Sequence, residues 1–250
     1  MRRASSTFTT SNLDDFFYLA GILRLSTKYF VGHLRSQAIR HLTQTWSYTL
    51  RGHDAMVDLA LKSPVIENMS HPYVHPIHVL NLAREVNVQI VVPSALYFLS
   101  LYPLTDILRA DHPKLLVKHP SRPSSQISTV DIQAYTLMFQ YRLDVILDFV
   151  RRFVGERVAH PQCQNHQTPC MRGFAILTSR LSRSWNARTG PLHYMMQAVQ
   201  EISDDGSICL SCRRSFREDV IRLREDIWDN LPAVVGSKTW DDLRAMDLPP

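Results

Sequence analysis

The chain has 250 residues, 45% of them hydrophobic, and its 28 basic and 23 acidic residues give a formal net charge of +5 at pH 7. A chain of this length and composition can bury a sizeable core, which excludes bulk disorder, and its mild, dispersed basic excess argues against a dedicated nucleic-acid-binding face. Glycine is scarce, with 8 residues, and no GxGxxG or GxxxxGKS/T motif occurs, so the common phosphate-binding loops are excluded.

Residues 22–42 predict an αα-hairpin near the start of the helical part. Gly32 lies between two apolar repeats and relaxes the connection between them. Each repeat builds one apolar face at helical spacing, so we expect two packed core helices. The first face consists of Ile22, Leu25 and Tyr29, and the second of Val31, Leu34, Ala38 and Leu42.

Helical patterns continue along the rest of the chain, and no segment is a convincing strand. Residues 89–92 have β-propensity, but no partner strand is visible, so we predict a helix–turn–helix there. Pro232 is expected to break the helix that precedes it. The sequence therefore predicts an all-α fold, an irregular multi-helix bundle with a cysteine-stapled C-terminal part. Further helices are predicted at about 53–62, 76–87, 128–154, 171–185, 191–202, 209–230 and 237–246.

Residues 112–125 are rich in proline, serine, lysine and arginine, which predicts an exposed loop or a soft boundary. Its charged residues, Lys114, Lys118 and Arg122, are expected to be solvated. We accordingly divide the chain into three segments, 1–45, 46–120 and 121–250, with a polar, loose N-terminus over residues 1–10.

The sharpest local signal is the pair Cys163-x6-Cys170 together with the pair Cys209-x2-Cys212. Four thiolates are a set that zinc binds in closed, tetrahedral structural sites. A Cys-x2-Cys pair at a turn before a helix lets both sulfur atoms face one ion. The sequence therefore predicts Cys163, Cys170, Cys209 and Cys212 as ligands of a structural zinc ion.

Other readings of the four cysteines stay open at this point. The spacing of Cys163 and Cys170 is longer than usual, and His160 or His166 could replace a thiolate. Unligated reduced thiols that pack as small apolar side chains are an alternative. A redox Cys-x2-Cys pair is a third, and it needs a thiol of low pKa at a helix start.

Two other groups of residues have simple structural explanations. We expect His71, His75 and His78 to be surface histidines before a helix N-terminus, with metal binding as the alternative. The C-terminal arginines alternate with acidic residues, which predicts ion pairs on a solvated helix face, with nucleic-acid contact as the alternative. These arginines are Arg213, Arg214, Arg217, Arg222 and Arg224. Since no GxSxG elbow or other catalytic constellation occurs, the sequence does not predict an enzyme.

The location of the chain can also be predicted. Its start, MRRASSTFTT, lacks the apolar region of a secretory signal, and no run of about 18 apolar residues predicts a membrane span. Four cysteines in such a chain favour reduced thiols or metal ligands over a disulfide framework. We therefore expect the cytoplasm or the nucleus.

The hairpin sequence LRLSTKYFVGHLRSQAIRHL resembles the closing helices of BTB/POZ domains in fungal, mainly mushroom-forming basidiomycete, proteins. Leu23 to Tyr29, Leu34-Arg35 and Ala38 carry this resemblance. The segment AREVNVQIVVPSALYFLS resembles the helical region after the BTB domain in the same group. The cysteine pairs and the ending IWDNLPAVVGSKTWDDL resemble the group's C-terminal half, so the resemblance covers about residues 22–248.

The resemblance implies a chain that lacks most of the BTB fold at its N-terminal side, since only about 20 residues precede Ile22. In a complete BTB domain, a three-stranded sheet and further helices come before this hairpin and carry the dimerisation surface and much of the cullin-binding surface. Segment 1–45 would then be the remnant of the BTB closing helices, 46–120 the helical region after it, and 121–250 the C-terminal region.

The function that this resemblance implies is a non-catalytic protein–protein interaction module, at its furthest a degenerate ubiquitin-ligase adaptor. The expected partners are proteins, including a second copy of the chain, rather than nucleic acid or membrane. The alternative is a zinc-containing, nucleic-acid-associated transcriptional regulator that uses the cysteine segment and the basic C-terminal helix.

Overall fold

The structure, a computed structural model, describes residues 13–67, 69–165 and 167–249. The N-terminal residues 1–10, predicted to be loose, and the candidate ligand His166 lie outside the described residues.

Within the described ranges the chain is all-α, as the sequence predicts, and the only extended pairing is an isolated bridge between Ile66 and Met69. No helix in these ranges is both long and apolar enough to cross a bilayer. Two short helices, Leu104–Arg109 and Pro113–Leu116, are too brief to show a periodic pattern in the sequence. The elements are α1 (Leu13–Lys28), α2 (Gly32–Thr45), α3 (Leu50–Lys62), α4 (Pro76–Glu85), α5 (Val92–Leu99), α6 (Leu104–Arg109), α7 (Pro113–Leu116), α8 (Thr129–Asp148), a π-helical segment (Phe149–Val154), α9 (Thr168–Ser184), α10 (Pro191–Asp204), α11 (Leu210–Val234) and α12 (Trp240–Asp247).

The hairpin of α1 and α2 is present, and its predicted core face is confirmed at Ala38 and Leu42 but wrong at Leu25, Tyr29 and Leu34. The α1 stripe that faces the core contains Phe17, Ala20 and Leu23, whereas Leu25 and Tyr29 are exposed. Helical spacing alone does not distinguish two neighbouring apolar stripes, and here the aromatic-rich one packs inward. The connection also differs, because the left-handed position belongs to a residue before Gly32, namely Phe30 with φ 56°.

Helix α5 lies at the centre of the core, since all eight of its residues are buried. A helix that is apolar on all sides requires cover on all sides, and α4, α8 and α11 supply it. Arg142 of α8 is fully buried beside it and donates hydrogen bonds to the carbonyl oxygens of Ser100, Ala187 and Thr189. This guanidinium group therefore joins the end of α5 to the loop before α10.

Polar contacts also connect parts of the chain that are distant in sequence. Arg224 of α11 is buried and pairs with Asp54 of α3, so the prediction that this arginine belongs to a solvated face is wrong. The carboxylate of Asp247 accepts the N–H groups of Gln89 and Ile90, at 2.6 and 2.7 Å. The three segments predicted from the sequence thus share one hydrophobic core.

Pro232 lies inside α11 and does not end it, contrary to prediction, because the helix continues to Val234. Proline has no N–H group to offer to the carbonyl oxygen four residues earlier, which belongs to Trp228. The indole N–H of Trp240 donates to that oxygen instead, at 2.9 Å, and the two indole rings stack at 5.4 Å. A donor from the next helix therefore replaces the bond that proline removes.

Residues 112–125 are more ordered than an exposed loop. They contain α7, in which Leu115 is fully buried and Lys114 is only 2% exposed. Arg122 donates to the carbonyl oxygens of Leu115 and Val117, which holds the segment against the core. The prediction of a solvated Lys114 is wrong because Leu115 anchors this turn and carries its neighbour inward.

Candidate metal centre

The four predicted ligands come from two places that the fold brings together. Cys163 lies in the irregular segment before α9, and Cys170 lies in the first turn of that helix, after a proline that suits a helix start. Cys209 is the N-cap residue of α11, and Cys212 lies in its first turn. The Cys-x2-Cys pair therefore sits at a turn before a helix, as the sequence predicts.

Gly173 allows the two places to approach, and sequence reasoning missed it. A Cβ atom at this position would lie 2.4 Å from Cγ1 of Ile208, the residue before Cys209. A glycine inside an otherwise regular helix signals such a close approach. Asp205 holds the turn before Ile208, because its carboxylate accepts hydrogen bonds from the N–H and the hydroxyl of Ser207, at 2.8 and 2.6 Å.

The sulfur atoms of all four cysteines lie within 4.8 Å of one another. Sγ of Cys163 is 3.5 Å from that of Cys170 and 3.7 Å from that of Cys209. Tetrahedral ligands about 2.3 Å from a zinc ion are roughly 3.8 Å apart, whereas a disulfide would require about 2.05 Å. The spacing is therefore that of a four-thiolate metal site, and no pair is bonded as a disulfide.

Backbone N–H groups point at two of the sulfur atoms. The N–H of Cys209 donates to Sγ of Cys170, and the N–H of His160 donates to Sγ of Cys212, both at 3.3 Å. Such hydrogen bonds stabilise a thiolate more than a thiol and orient it toward a bound ion.

The ionisation of the thiols is uneven. Burial opposes ionisation of Cys209, but N–H groups of Cys212 and Gln164 and the neighbouring thiols outweigh it and lower its pKa to about 6. Burial and the neighbouring cysteines raise the pKa of Cys212 to about 12. Four negative charges in one buried cluster repel each other unless a cation compensates them, so a divalent ion fits this donor set.

The alternative readings of the cysteines can now be compared with the geometry. His160 is not a member of the group of potential ligands, and its Nδ1 accepts the N–H of Gln162 at 3.1 Å. A redox pair would need access to an attacking thiol, and Cys209, although at a helix start, is only 7% exposed. The four residues that the sequence singled out are thus the four that meet.

His71, His75 and His78 are buried, so their prediction as surface histidines is wrong. Nδ1 of His75 accepts the N–H of Ile77 and caps α4, at 3.2 Å. Across the described ranges, the four cysteines are the only group of three or more histidine, cysteine or acidic residues that could hold a metal ion. The histidines belong to the packing of the α3–α5 region.

Comparison with known proteins gives no further assignment. No protein-family model, no curated protein and no solved structure matches the chain. The resemblance to BTB/POZ proteins therefore stays a prediction from the sequence.

Proposed function

We propose that this chain is a non-catalytic protein–protein interaction module of the BTB/POZ type that contains the closing helices of that domain. In this proposal it acts in the cytoplasm or nucleus, and Cys163, Cys170, Cys209 and Cys212 hold one structural zinc ion. The cysteine geometry supports the zinc site, and the α1–α2 turn supports the interaction role.

The observation that carries the interaction role is an exposed apolar tip, the hairpin patch, formed by Leu25, Tyr29, Phe30 and Leu34. Leu25 is 58% exposed and Tyr29 is 65% exposed. Phe30 is 92% exposed and Leu34 is 40% exposed. Phe30 reaches this exposure from a left-handed backbone conformation, which a bulky residue rarely adopts. Contiguous exposed apolar side chains of this kind are typical of interaction sites.

A role for zinc in this module is structural rather than catalytic. All four ligands are protein thiolates, so no position is left for water or substrate. The ion would join the start of α9 to the start of α11, at one end of the C-terminal helices. The surfaces of these helices would then keep their relative positions when a partner binds.

Self-association through the hairpin patch is the first expected result of this proposal. The change Phe30→Asp should weaken self-association by about tenfold or more, since it puts a charge where the interface would bury an aromatic side chain. Sedimentation velocity across a range of concentrations measures this. Val130→Asp is the matched control, because Val130 is 69% exposed in the first turn of α8, far from the patch in sequence.

Two results would contradict this form of the proposal: a monomer at every concentration, or equal weakening by Phe30→Asp and Val130→Asp.

The adaptor role is tested separately by titrating the chain with a purified cullin N-terminal domain. Binding that is unaffected by Phe30→Asp would place the partner surface elsewhere.

A second candidate function, a zinc-containing nucleic-acid-associated regulator, is favoured by a groove of about 520 Å³ on α11. Arg213, Arg214 and Arg217 line it together with Glu218, which pairs with Arg214 at 3.8 Å. The groove lies along α11 next to Cys209 and Cys212, so the cysteine site would hold the start of this helix in place for binding.

The salt dependence of binding distinguishes the two functions. If the groove binds nucleic acid, log affinity should fall steeply with log salt, and Arg214→Ala with Arg217→Ala should reduce the slope by about two. Fluorescence anisotropy with labelled duplex DNA and single-stranded RNA measures it. Binding that is weak and unchanged by both substitutions would eliminate this candidate.

A further inference from the structure

A second site lies between α3, the start of α6 and the turn that contains α7. It is a cavity of about 420 Å³, within the range usual for small-molecule pockets. Met56, Phe98 and Leu101 are among its apolar lining residues. His71, Lys114 and Arg188 are among its polar ones. An apolar wall with a few convergent polar groups is the usual composition of a ligand pocket.

Lys114 is the unusual member of this lining. It is 2% exposed, and its ammonium group donates to the carbonyl oxygen of Pro72 at 2.7 Å. Among the described residues, no carboxylate forms an ion pair with it. Burying a cation without a counter-ion is costly, and burial lowers the pKa of Lys114 to about 8. At neutral pH, Lys114 is therefore still charged in most protein molecules.

The other charged groups of the cavity do not neutralise Lys114. Asp106, the one carboxylate in the lining, pairs with Arg188 at 3.6 Å, and both side chains are partly open to solvent. Nδ1 of His112 accepts the N–H of Lys114, at 3.2 Å. Burial, followed by the charge of Lys114, lowers the pKa of His71, so this ring is neutral. The cavity therefore carries one uncompensated positive charge.

His71 adds an unused polar atom at the same place. The residue is 7% exposed, and its Nδ1 is buried with no hydrogen-bond partner among the described residues. Buried polar atoms are normally paired, so this nitrogen can form a hydrogen bond with a polar group that enters the cavity. An anionic oxygen in this cavity could accept a hydrogen bond from both the ammonium group and the imidazole N–H.

We propose that this cavity binds a small amphipathic carboxylate, with its carboxylate group on Lys114 and His71 and its apolar body against Met56, Phe98 and Leu101. The ligand supplies the missing counter-ion of Lys114 and a partner for His71, and it covers the apolar wall. This function is independent of the zinc site and of the hairpin patch.

Calorimetric titration of the full chain with octanoate tests the proposal. Octanoate should bind at one saturable site, whereas octylamine, with the same chain and the opposite charge, should not bind. Acetate, which has the carboxylate alone, and inorganic phosphate should each bind about tenfold or more weakly, since they lack the apolar body. Equal binding of octanoate and octylamine would overturn the proposal, as would phosphate binding that matches octanoate.

Substitutions locate the site. Ala60→Phe should weaken octanoate binding about tenfold or more because Ala60, a partly exposed residue of α3, lines the cavity. Ala55→Phe is the matched control, because Ala55 is exposed on the same helix and does not line the cavity. Unchanged binding in Ala60→Phe, or equal loss in both variants, would overturn the assignment.

Lys114→Met tests the charge itself. It should weaken octanoate binding about tenfold to hundredfold, as expected for a lost charge-assisted hydrogen bond, and leave binding of uncharged octanol unchanged. If this variant does not fold, His71→Phe replaces it and should weaken octanoate more than octanol. Equal effects on octanoate and octanol in the folded variant would refute a carboxylate site.

Discussion

Replacement of Cys212 by serine is expected to lower the free energy of unfolding by about 5 kcal/mol and the melting temperature by roughly 10–20 °C. Zinc bound to four thiolates contributes its binding free energy to folding, because the unfolded chain does not present the four sulfur atoms together. Serine removes one thiolate and leaves the N–H of His160, which donates to Sγ of Cys212, without its sulfur partner. The remaining three thiolates would hold the ion far less tightly.

Metal analysis and thermal unfolding measure this prediction. The purified chain should contain one equivalent of zinc, and a strong chelator should lower its melting temperature as far as Cys212→Ser does. Zinc, but not magnesium, should restore it, because thiolates prefer the softer ion. His160→Ala is the matched control, since the His160 contact with Cys212 Sγ comes from its backbone N–H and, among the described residues, its ring bonds only the N–H of Gln162. Metal-free protein of unchanged stability would contradict a structural zinc site.

Acid is expected to destabilise the fold strongly, between about pH 7 and pH 5, through three buried histidines. Burial, the largest cause in each case, lowers the pKa of His53 to about 3, of His75 to about 2 and of His78 to about 4. In the unfolded chain these rings take up protons near pH 6.5, so below that pH the unfolded state binds more protons than the folded state.

The sign of the effect follows from these values. Each folded-state pKa lies below the unfolded value, so the stabilisation is complete above about pH 7 and is lost as pH falls toward the folded-state pKa. At about pH 5 each histidine lowers the free energy of unfolding by about 2 kcal/mol relative to pH 7, and the three together lower it by about 6 kcal/mol. Denaturant unfolding at a series of pH values measures this loss.

His53→Phe isolates one of the three contributions. Neither ring nitrogen of His53 has a hydrogen-bond partner in the described part of the chain, and the ring stacks with Phe98 at 5.2 Å. Phenylalanine keeps the packing and cannot be protonated, so the free energy of unfolding should change little at neutral pH. On acidification it should fall by about 2 kcal/mol less in His53→Phe than in the unsubstituted chain. His33→Gln, at an exposed position of α2, is the control and should not alter the pH dependence.

Loss of metal from the thiolates also depends on pH, but the two variants would share it. A difference between His53→Phe and His33→Gln therefore reports the buried ring alone. Identical pH profiles would show that the folded chain accommodates a protonated His53, contrary to this account.

The sequence predicts the helices and the grouping of the four cysteines well, because apolar periodicity and cysteine spacing can both be seen in short segments. Apolar periodicity defines helices such as α4 and α10, and thiolates have few roles that require two pairs. The meeting of Cys163 with Cys209 could be expected from zinc chemistry alone, without knowledge of the fold. The same reasoning could not identify Gly173 as the residue that lets α9 approach Ile208, because that contact forms only in three dimensions.

The errors concern residues whose surroundings come from distant parts of the chain. In the sequence Arg224 lies in a charged segment, but α3 supplies Asp54 as its partner and the arginine is buried. Lys114 lies in a charged loop, but the carbonyl oxygen of Pro72 accepts a hydrogen bond from its buried ammonium group. Pro232 appears to be a helix stop because its compensating donor, Trp240, lies in the next helix. A local sequence pattern shows which residues are polar, but whether a polar residue is buried depends on which helices pack together.

The position of the cysteine pairs on either side of α9 and α10 has a consequence for limited proteolysis. A protease that cuts after the exposed Arg188, in the loop between these helices, would leave Cys163 and Cys170 on one fragment and Cys209 and Cys212 on the other. A bound ion would then act as a reversible cross-link between two separate polypeptides. The shared core would also hold the two fragments together, so a chelator should weaken their association, and the same loop offers a place to divide the chain into complementing fragments whose affinity depends on metal.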